Sequence, residues 1–517
     1  MNNAVMFLLA IAPIIWLIIS LSKMKMSGYL ACPIALAISA VLAVVAFKMT
    51  PLNMFTAGLE GVALAVWPII LVIIAAIFTY NLSIYTGNME LIKQMLTGVT
   101  SDKRILVLII AWGFGGFLEG MAGFGTAVAI PASMLCALGF DPLLAAGVCL
   151  ISNATPTAFG SIGIPTVTLS QVSGLNVGTL SAVTAIQLII PIIITPFVIV
   201  AMAGKSIKAL KGVGFIALIS GLSFVVPELA AAKFLGAELP VIVGSICSML
   251  CTIAFAKIQS KKKQNNDYII SSDFDKEESK EKIGTKRAVI AWLPFILIFV
   301  FLILTSNLIA PLHNALNTIK TSVKIYTGEN APLYTFVWVN TPGVLILLAT
   351  FIGGFVQKAS FTDMIKVLGS TVKQMRGTMI TIISVIATAK IMGYSGMINI
   401  IAAMAVAATG QVYPLIAPAI GALGTFITGS ATSSSVLFGK LQAEAASAIN
   451  ANPYWITAAN TCGAAAGKMI SPQNISIAVA ATKLNGKEGE ILSSIVKYFI
   501  MFIVLMGLIT FFGVLLY

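Results

Sequence analysis

Apolar runs of roughly 20 residues, separated by short polar or glycine-rich connectors, recur along most of the chain, and that length suits a helix crossing a bilayer. Spans are predicted at about residues 5–22, 29–47, 64–84, 178–202, 212–231, 238–256, 288–310, 336–356, 377–393 and 492–516. The first run, Val5 to Ser20, has no basic residue before it and no small-residue cleavage pattern after it, which predicts a retained helix rather than a secretory leader. Two regions, 104–175 and 395–482, break the pattern with the Gly, Pro, Ser, Thr and Asn that lipid-facing helices lack. The predicted class is an all-α polytopic membrane protein with about 12–14 membrane segments.

The irregular regions resemble one another. Phe117 to Gly120 (FLEG) has a counterpart in Phe426 to Gly429 (FITG), and Pro142 in Pro453. Ala145 to Cys149 (AAGVC) matches Ala458 to Cys462 (AANTC), and Gly160 to Pro165 (GSIGIP) matches Gly467 to Pro472 (GKMISP). The order is the same, and the separations are 309, 311, 313 and 307 residues. An additional crossing precedes the second copy, so its parity suggests two inverted repeats with discontinuous helices or re-entrant hairpins. The first membrane half is read as 1–256 and the second as 288–517, joined by a charged cytoplasmic loop at 257–287.

Charge sharpens this topology. The formal charge is +13, yet charged residues make up only 9% of the 517 and hydrophobic residues 58%. Lys and Arg concentrate in connectors, where they set orientation rather than bind nucleic acid. Counting crossings from the 257–287 loop puts Lys205–Lys211, Ser101–Arg104, Ser22–Lys25 and Lys358–Arg376 inside, with the N-terminus and the segment around His313, Lys320 and Lys324 outside. The six cysteines lie in apolar stretches and read as buried thiols, forming neither disulfides nor a metal site. No phosphate loop, zinc pattern or nucleophile elbow appears, and neither an enzyme nor a cofactor is expected.

The sharpest chemistry lies in GFGGFLEGMAGFG, Gly113 to Gly125. Its glycines read as breakpoints of half-helices whose free N–H groups could hold an anion; close packing of the GxxxG kind is the competing reading. Glu119 is an acid at membrane depth, which suits proton coupling, unless it lies near the interface or is locked to a cation. Ile151–Gly160 and Thr428–Gly439 cluster small hydroxyls and an amide, although serine and threonine also bond back to their own helices. Lys468, the one cation in the GKMISPQNIS stretch, would either meet a carboxylate or snorkel to the interface.

The blocks Gly115–Phe140, Asn153–Pro165, Phe426–Gln442 and Ala458–Ala478 resemble the L-lactate permease family, and the likeness covers most of the chain. The resemblance implies uptake of L-lactate, with D-lactate and glycolate as further substrates, by proton symport across a bacterial plasma (inner) membrane. It also implies an elevator-like arrangement of paired hairpins moving against a scaffold. Two positions depart from the family pattern: Ala127 stands where proline is expected, and Ala431 where aspartate is expected. The second removes an acid from the second cluster and leaves Glu119 as the coupling residue. The expected substrate set is Gly123, Thr126, Ser152, Asn153, Thr155, Thr432, Ser433, Ser434, Asn460, Lys468 and Gln473. Sodium-coupled uptake of a related small organic anion, and a passive anion channel, are the rival readings. A homo-oligomer is compatible with all of them.

Overall fold

In hydrocarbon the backbone has no hydrogen-bond partner but itself, and the computed structural model is correspondingly helical. It describes residues 3–20, 24, 26–97, 99–123, 125–259, 268–269, 284–328, 333–484 and 487–516. Most of the expected charged loop at 257–287, and Ser22, Lys23 and Lys25 of the first basic connector, lie outside these residues.

Helices α1 (Asn3–Ile18) and α2 (Gly28–Val45) lead into α3 (Pro51–Leu64), whose N-terminus Thr50 caps by accepting from the Asn53 amide. A π-helical stretch, Ala65–Ile70, joins α3 to α4 (Leu71–Tyr85), with Trp67 out of helical conformation before Pro68. After the short α5 (Asn88–Thr97), α6 (Lys103–Val107) passes through a second π-helical stretch into α7 (Gly115–Met121). The chain breaks there and resumes as α8 (Thr126–Ala137) and α9 (Pro142–Ser152); a 3₁₀ turn then enters α10 (Gly160–Ser173). Three long helices complete the first half: α11 (Val177–Ala203), α12 (Gly214–Phe234) and α13 (Pro240–Gln259).

The second half begins with α14 (Thr285–Leu304), the short α15 (Ala310–Asn317) and a hairpin of β1 (Lys320–Val323) and β2 (Tyr334–Val337), antiparallel with Lys320 opposite Val337. It continues through α16 (Pro342–Val356), the 34-residue α17 (Phe361–Tyr394), α18 (Met397–Thr409), α19 (Tyr413–Thr428), α20 (Ala431–Ala448), α21 (Pro453–Gly467), α22 (Pro472–Thr482) and α23 (Glu488–Gly513).

Among the described residues ten helical stretches are long and apolar enough to cross a membrane, or up to eleven with the 54° bent pair Pro142–Ser152 and Pro156–Ser173. Three shorter apolar helices, Val5–Leu17, Thr126–Ala137 and Pro342–Val356, bring the total to the upper end of the expected range of about 12–14 segments. The expected span 336–356 is shortened, because Tyr334–Val337 pairs as a strand and Thr341–Pro342 starts the helix. The span 64–84 lengthens to Pro51–Tyr85, and 377–393 to Phe361–Tyr394. In the first extension Thr56 and Glu60 are buried within the protein, whereas the polar residues of the second, such as Lys366, Lys373 and Arg376, are exposed, so α17 carries a polar end that a hydropathy window excludes.

Element order repeats far beyond the two irregular regions. From α2 to α11 each stage recurs: α2 as α16, α3 with α4 as α17, α5 as α18, α6 with α7 as α19, then α8, α9, α10 and α11 as α20, α21, α22 and α23. The spacing barely drifts, since Pro51 to Phe361 is 310 residues and Val177 to Glu488 is 311. Packing is reciprocal too. α2 lies on α17 as α4 lies on α16; α10 on α20 as α8 on α22; α11 on α21 as α9 on α23. Helix starts are matched in chemistry: Asp141 caps before Pro142, and Asn452 caps before Pro453.

The two readings of the glycines both apply, to different residues. A Cβ on Gly113, Gly116 or Gly120 would meet Met249, Ser245 and Phe224, or Ile242, so these three seat α12 and α13 closely. Gly123 and Gly125 have φ +58° and +88°, and Gly429 has +71°, which places them at the breaks. On the face that charge counting calls inside, Arg104 pairs with Asp102 at 2.7 Å and donates to the carbonyls of Ala209 and Lys211. The ring of Tyr268 lies 4.0 Å from its guanidinium carbon, so three connectors predicted to share a side meet there.

Candidate functional site

Glu119 on the last turn of α7 and Lys468, just after α21, come from opposite ends of the sequence and meet at 2.5 Å. Both are buried, at 2% and 7% exposure. Helix ends favour this placement: Gly160, at the N-terminus of α10, abuts the carboxylate, and Lys468 follows the C-terminus of α21. Only Oε1 of Glu119 is engaged, while Oε2 is buried without a partner.

The turn beside the pair is strained. Ser161, Ile162 and Gly163 all have left-handed φ, 47°, 58° and 74°, and non-glycine residues there cost about 1–3 kcal/mol each. The Ser161 hydroxyl donates to the Ala122 carbonyl at 3.0 Å, tying the break before α10 to the break after α7. Such strain persists where the surroundings over-determine it, which fits a site held in one shape.

Around this junction several polar side chains have nothing to bond. Ser152 Oγ, both polar atoms of the Asn153 amide, Thr155 Oγ1 and Asn460 Nδ2 are buried without partners. The turn Pro156–Phe159 touches α7 and α21, and the Lys468 turn touches α9, so these groups belong to elements that converge on the ion pair. An unmet buried polar group costs about 1–3 kcal/mol, a set that a polar solute or water would satisfy.

Other expected residues have structural duties. Thr126 donates to the Gly123 carbonyl at 2.8 Å, Ser434 to the Gly421 carbonyl at 2.6 Å, and the Ser433 amide to Ser430 Oγ. Thr432 is buried on the first turn of α20, and Gln473 is exposed, lying over Gly429. Sequence reasoning passed over Asn474, whose amide donates to the Lys468 carbonyl at 3.2 Å, and Gln442, which links Tyr413 to Asn460. It also passed over Glu60, Glu228 and Lys390, all within the membrane helices. An acid inside an apolar run was the available signal, the same one that singled out Glu119.

Gly160 offers a clean probe, since its φ of −64° suits alanine. A Cβ there would lie 2.5 Å from Glu119 Oε1, so the carboxylate must leave Lys468. Gly160→Ala is expected to lower solute uptake at least about tenfold, by loss of roughly 1.4 kcal/mol or more, and to lower the melting temperature in detergent as the buried pair is parted. Wild-type uptake by this variant would mean that the pair is not part of the working site.

A family model described as L-lactate permease matches residues 6–517. An L-lactate permease of Streptococcus iniae is 50% identical over 451 residues, covering 87% of this chain and 93% of its own. The glycolate permease GlcA of Escherichia coli is 34% identical across 97% of this chain and 94% of its own. Among solved structures, Neisseria gonorrhoeae MtrF, described within a class of antimetabolite efflux pumps, aligns over 93% of this chain and 94% of its own with TM-score 0.50 and 14% identity, a likeness of fold alone. The quoted blocks around Glu119 and Lys468 thus sit inside a match that spans nearly the whole sequence, and the chain belongs to the L-lactate permease family.

Proposed function

We propose that this multi-pass membrane protein imports L-lactate, and also D-lactate and glycolate, by proton symport across a bacterial inner membrane. The relatives named for lactate and for glycolate support a small 2-hydroxy monocarboxylate as substrate. The observation that carries the coupling is the buried Glu119–Lys468 pair. Empty, the site holds one negative and one positive charge and is neutral. A lactate anion takes Glu119's place on Lys468, and Glu119 accepts a proton as it leaves. The loaded site is then neutral again. Lactate without a proton, or a proton without lactate, leaves one net charge in low dielectric, which costs several kcal/mol and blocks movement. Electroneutral one-to-one coupling follows from that penalty.

The unpartnered groups of Ser152, Asn153, Thr155 and Asn460 are suited to the carboxylate and the 2-hydroxyl, which is how an acid lacking the hydroxyl is rejected. The repeated element order and reciprocal packing support two halves of inverted topology, with α2 rising from the inner face and α16 descending to it.

Uptake of labelled lactate from outside into proteoliposomes under imposed gradients tests the reading. An inward H⁺ gradient is expected to drive accumulation and an inward Na⁺ gradient none, with glycolate competing more strongly than succinate. Accumulation under Na⁺ alone moves the assignment to a sodium symporter, and flux without accumulation under either gradient to a channel.

A further inference from the structure

A second buried acid–base pair lies away from the Glu119 site, beside an open cavity of 410 Å³. Glu60, on α3, is 2% exposed, and its Oε1 accepts from both Lys390 Nζ and Tyr394 Oη at 2.7 Å. Its Oε2 is buried with no partner, as is that of Glu119. Glu60 and Lys390 both line the cavity, along with Gln171 of α10 and Thr341. Thr341 is 3% exposed and its hydroxyl is unpartnered, so a second polar group is left for an occupant. Tyr334, Thr335 and Val337 of the β-hairpin line the cavity, and charge counting puts the hairpin segment outside and Arg104 inside.

At the repeat-related place among the described residues the pairing is neutral. One repeat length back from Lys390 lies the Tyr80–Asn81 segment of α4, and one forward from Glu60 lies the Gly369–Thr371 segment of α17. There Asn81 donates to Thr371 Oγ1 at 2.9 Å, a neutral bond where the outer pair is ionic. Duplication therefore does not account for the charges of Glu60 and Lys390, since at the related place α4 is tied to α17 by a neutral bond.

Resting on the lactate reading above, we propose that this cavity is a loading site for small monocarboxylates, in which the anion takes Glu60's place on Lys390 before passing to the Glu119–Lys468 site. The proton that neutralises Glu60 comes from water on the same face. The route is short: α10 runs from Gly160 beside Glu119 to Val167 and Gln171 in the cavity wall, about 10 Å of helix from residue 164 to 171. The groups facing Glu60 are Lys390 and Tyr394 of α17, Tyr326 stacked on Tyr394 at 3.8 Å, Tyr334 of β2 and Glu238. Lys440 of α20 stands behind Lys390, with its ammonium on the Gly393 carbonyl at 3.4 Å. Burial pushes the Glu238 carboxyl up, which keeps a second negative charge from opposing an incoming anion as the pH falls.

Lactate transport measured from each face of oriented membrane vesicles tests this. Lys390→Gln is expected to raise KM on the cavity face by about tenfold or more, the loss of one charge-assisted contact, and to leave KM on the other face unchanged. Glu60→Gln should lower KM on the cavity face and flatten its dependence on pH. The double variant Glu60→Gln/Lys390→Gln strands no charge, so its folding is the control, and it should keep the high one-sided KM. Recovery of wild-type KM in the double variant, or equal changes on both faces, makes the pair a structural tie and overturns the proposal. A wild-type protein that carries no lactate from either face overturns the transport reading itself, and this inference with it.

Discussion

Glu119→Gln is expected to abolish lactate accumulation driven by a pH gradient while leaving lactate-for-lactate exchange measurable. The amide keeps the size and the hydrogen-bonding edge of the acid but cannot carry the proton or balance Lys468. Loaded with lactate, the variant site is neutral and can move. Empty, it holds the Lys468 ammonium alone, and breaking a buried pair by removing one partner costs about 3–5 kcal/mol. At 1.4 kcal/mol per factor of ten, the return of the empty carrier slows roughly 100- to 1,000-fold or more. Net uptake stops while exchange, which never empties the site, continues. Counterflow of labelled lactate beside gradient-driven uptake in the same liposomes separates the two. Uphill uptake at the wild-type rate would end the role given to Glu119.

Lys468→Met should remove both activities. On the proposed reading the anion loses the one cationic partner that the described residues supply in the site, and the remaining acid is left buried and uncompensated unless it takes up a proton. A charge-assisted contact of this kind is worth about 3–5 kcal/mol when one partner is removed, so exchange should fall at least roughly 100-fold. The melting temperature in detergent should fall as well. In Glu119→Gln/Lys468→Met no charge is stranded, so stability should recover in part while transport stays lost, a non-additivity that shows the residues act on one another. A Lys468→Met protein that still exchanges lactate would mean that the N–H groups at the helix ends bind the anion unaided.

Much of this was legible in order along the chain. Runs of about 20 apolar residues announce membrane helices because hydrocarbon leaves no alternative. The breaks at Gly123, Gly125 and Gly429 announced themselves as glycines amid such runs, and the Asp141–Pro142 and Asn452–Pro453 starts were visible as matching prolines. Hydropathy hid the longer helices: Thr56 and Glu60 of α3 are polar but buried, and the first half of α17 is polar and exposed, with Lys366, Lys373 and Arg376 on its surface. It also hid the extent of the repeat: outside the broken regions the two copies share element order and spacing but few residues. Glu60 was overlooked although it carries the same signal as Glu119, since no glycine cluster drew attention to it.

By itself the sequence determined the class of the molecule, the positions of its two broken regions and the family, and it singled out Glu119 as a candidate, because each depends on local composition or on contiguous motifs. Only the tertiary structure decided partners. It brought Lys468 to Glu119 across 349 residues and Lys390 to Glu60 across 330, distances over which no spacing rule operates. It also decided which glycines pack and which break, since that depends on the neighbour a Cβ would strike. The acid that looked solitary in GFGGFLEGMAGFG is half of an ion pair, because a charge buried at membrane depth persists only with a counter-charge, and the fold supplies it from the other repeat.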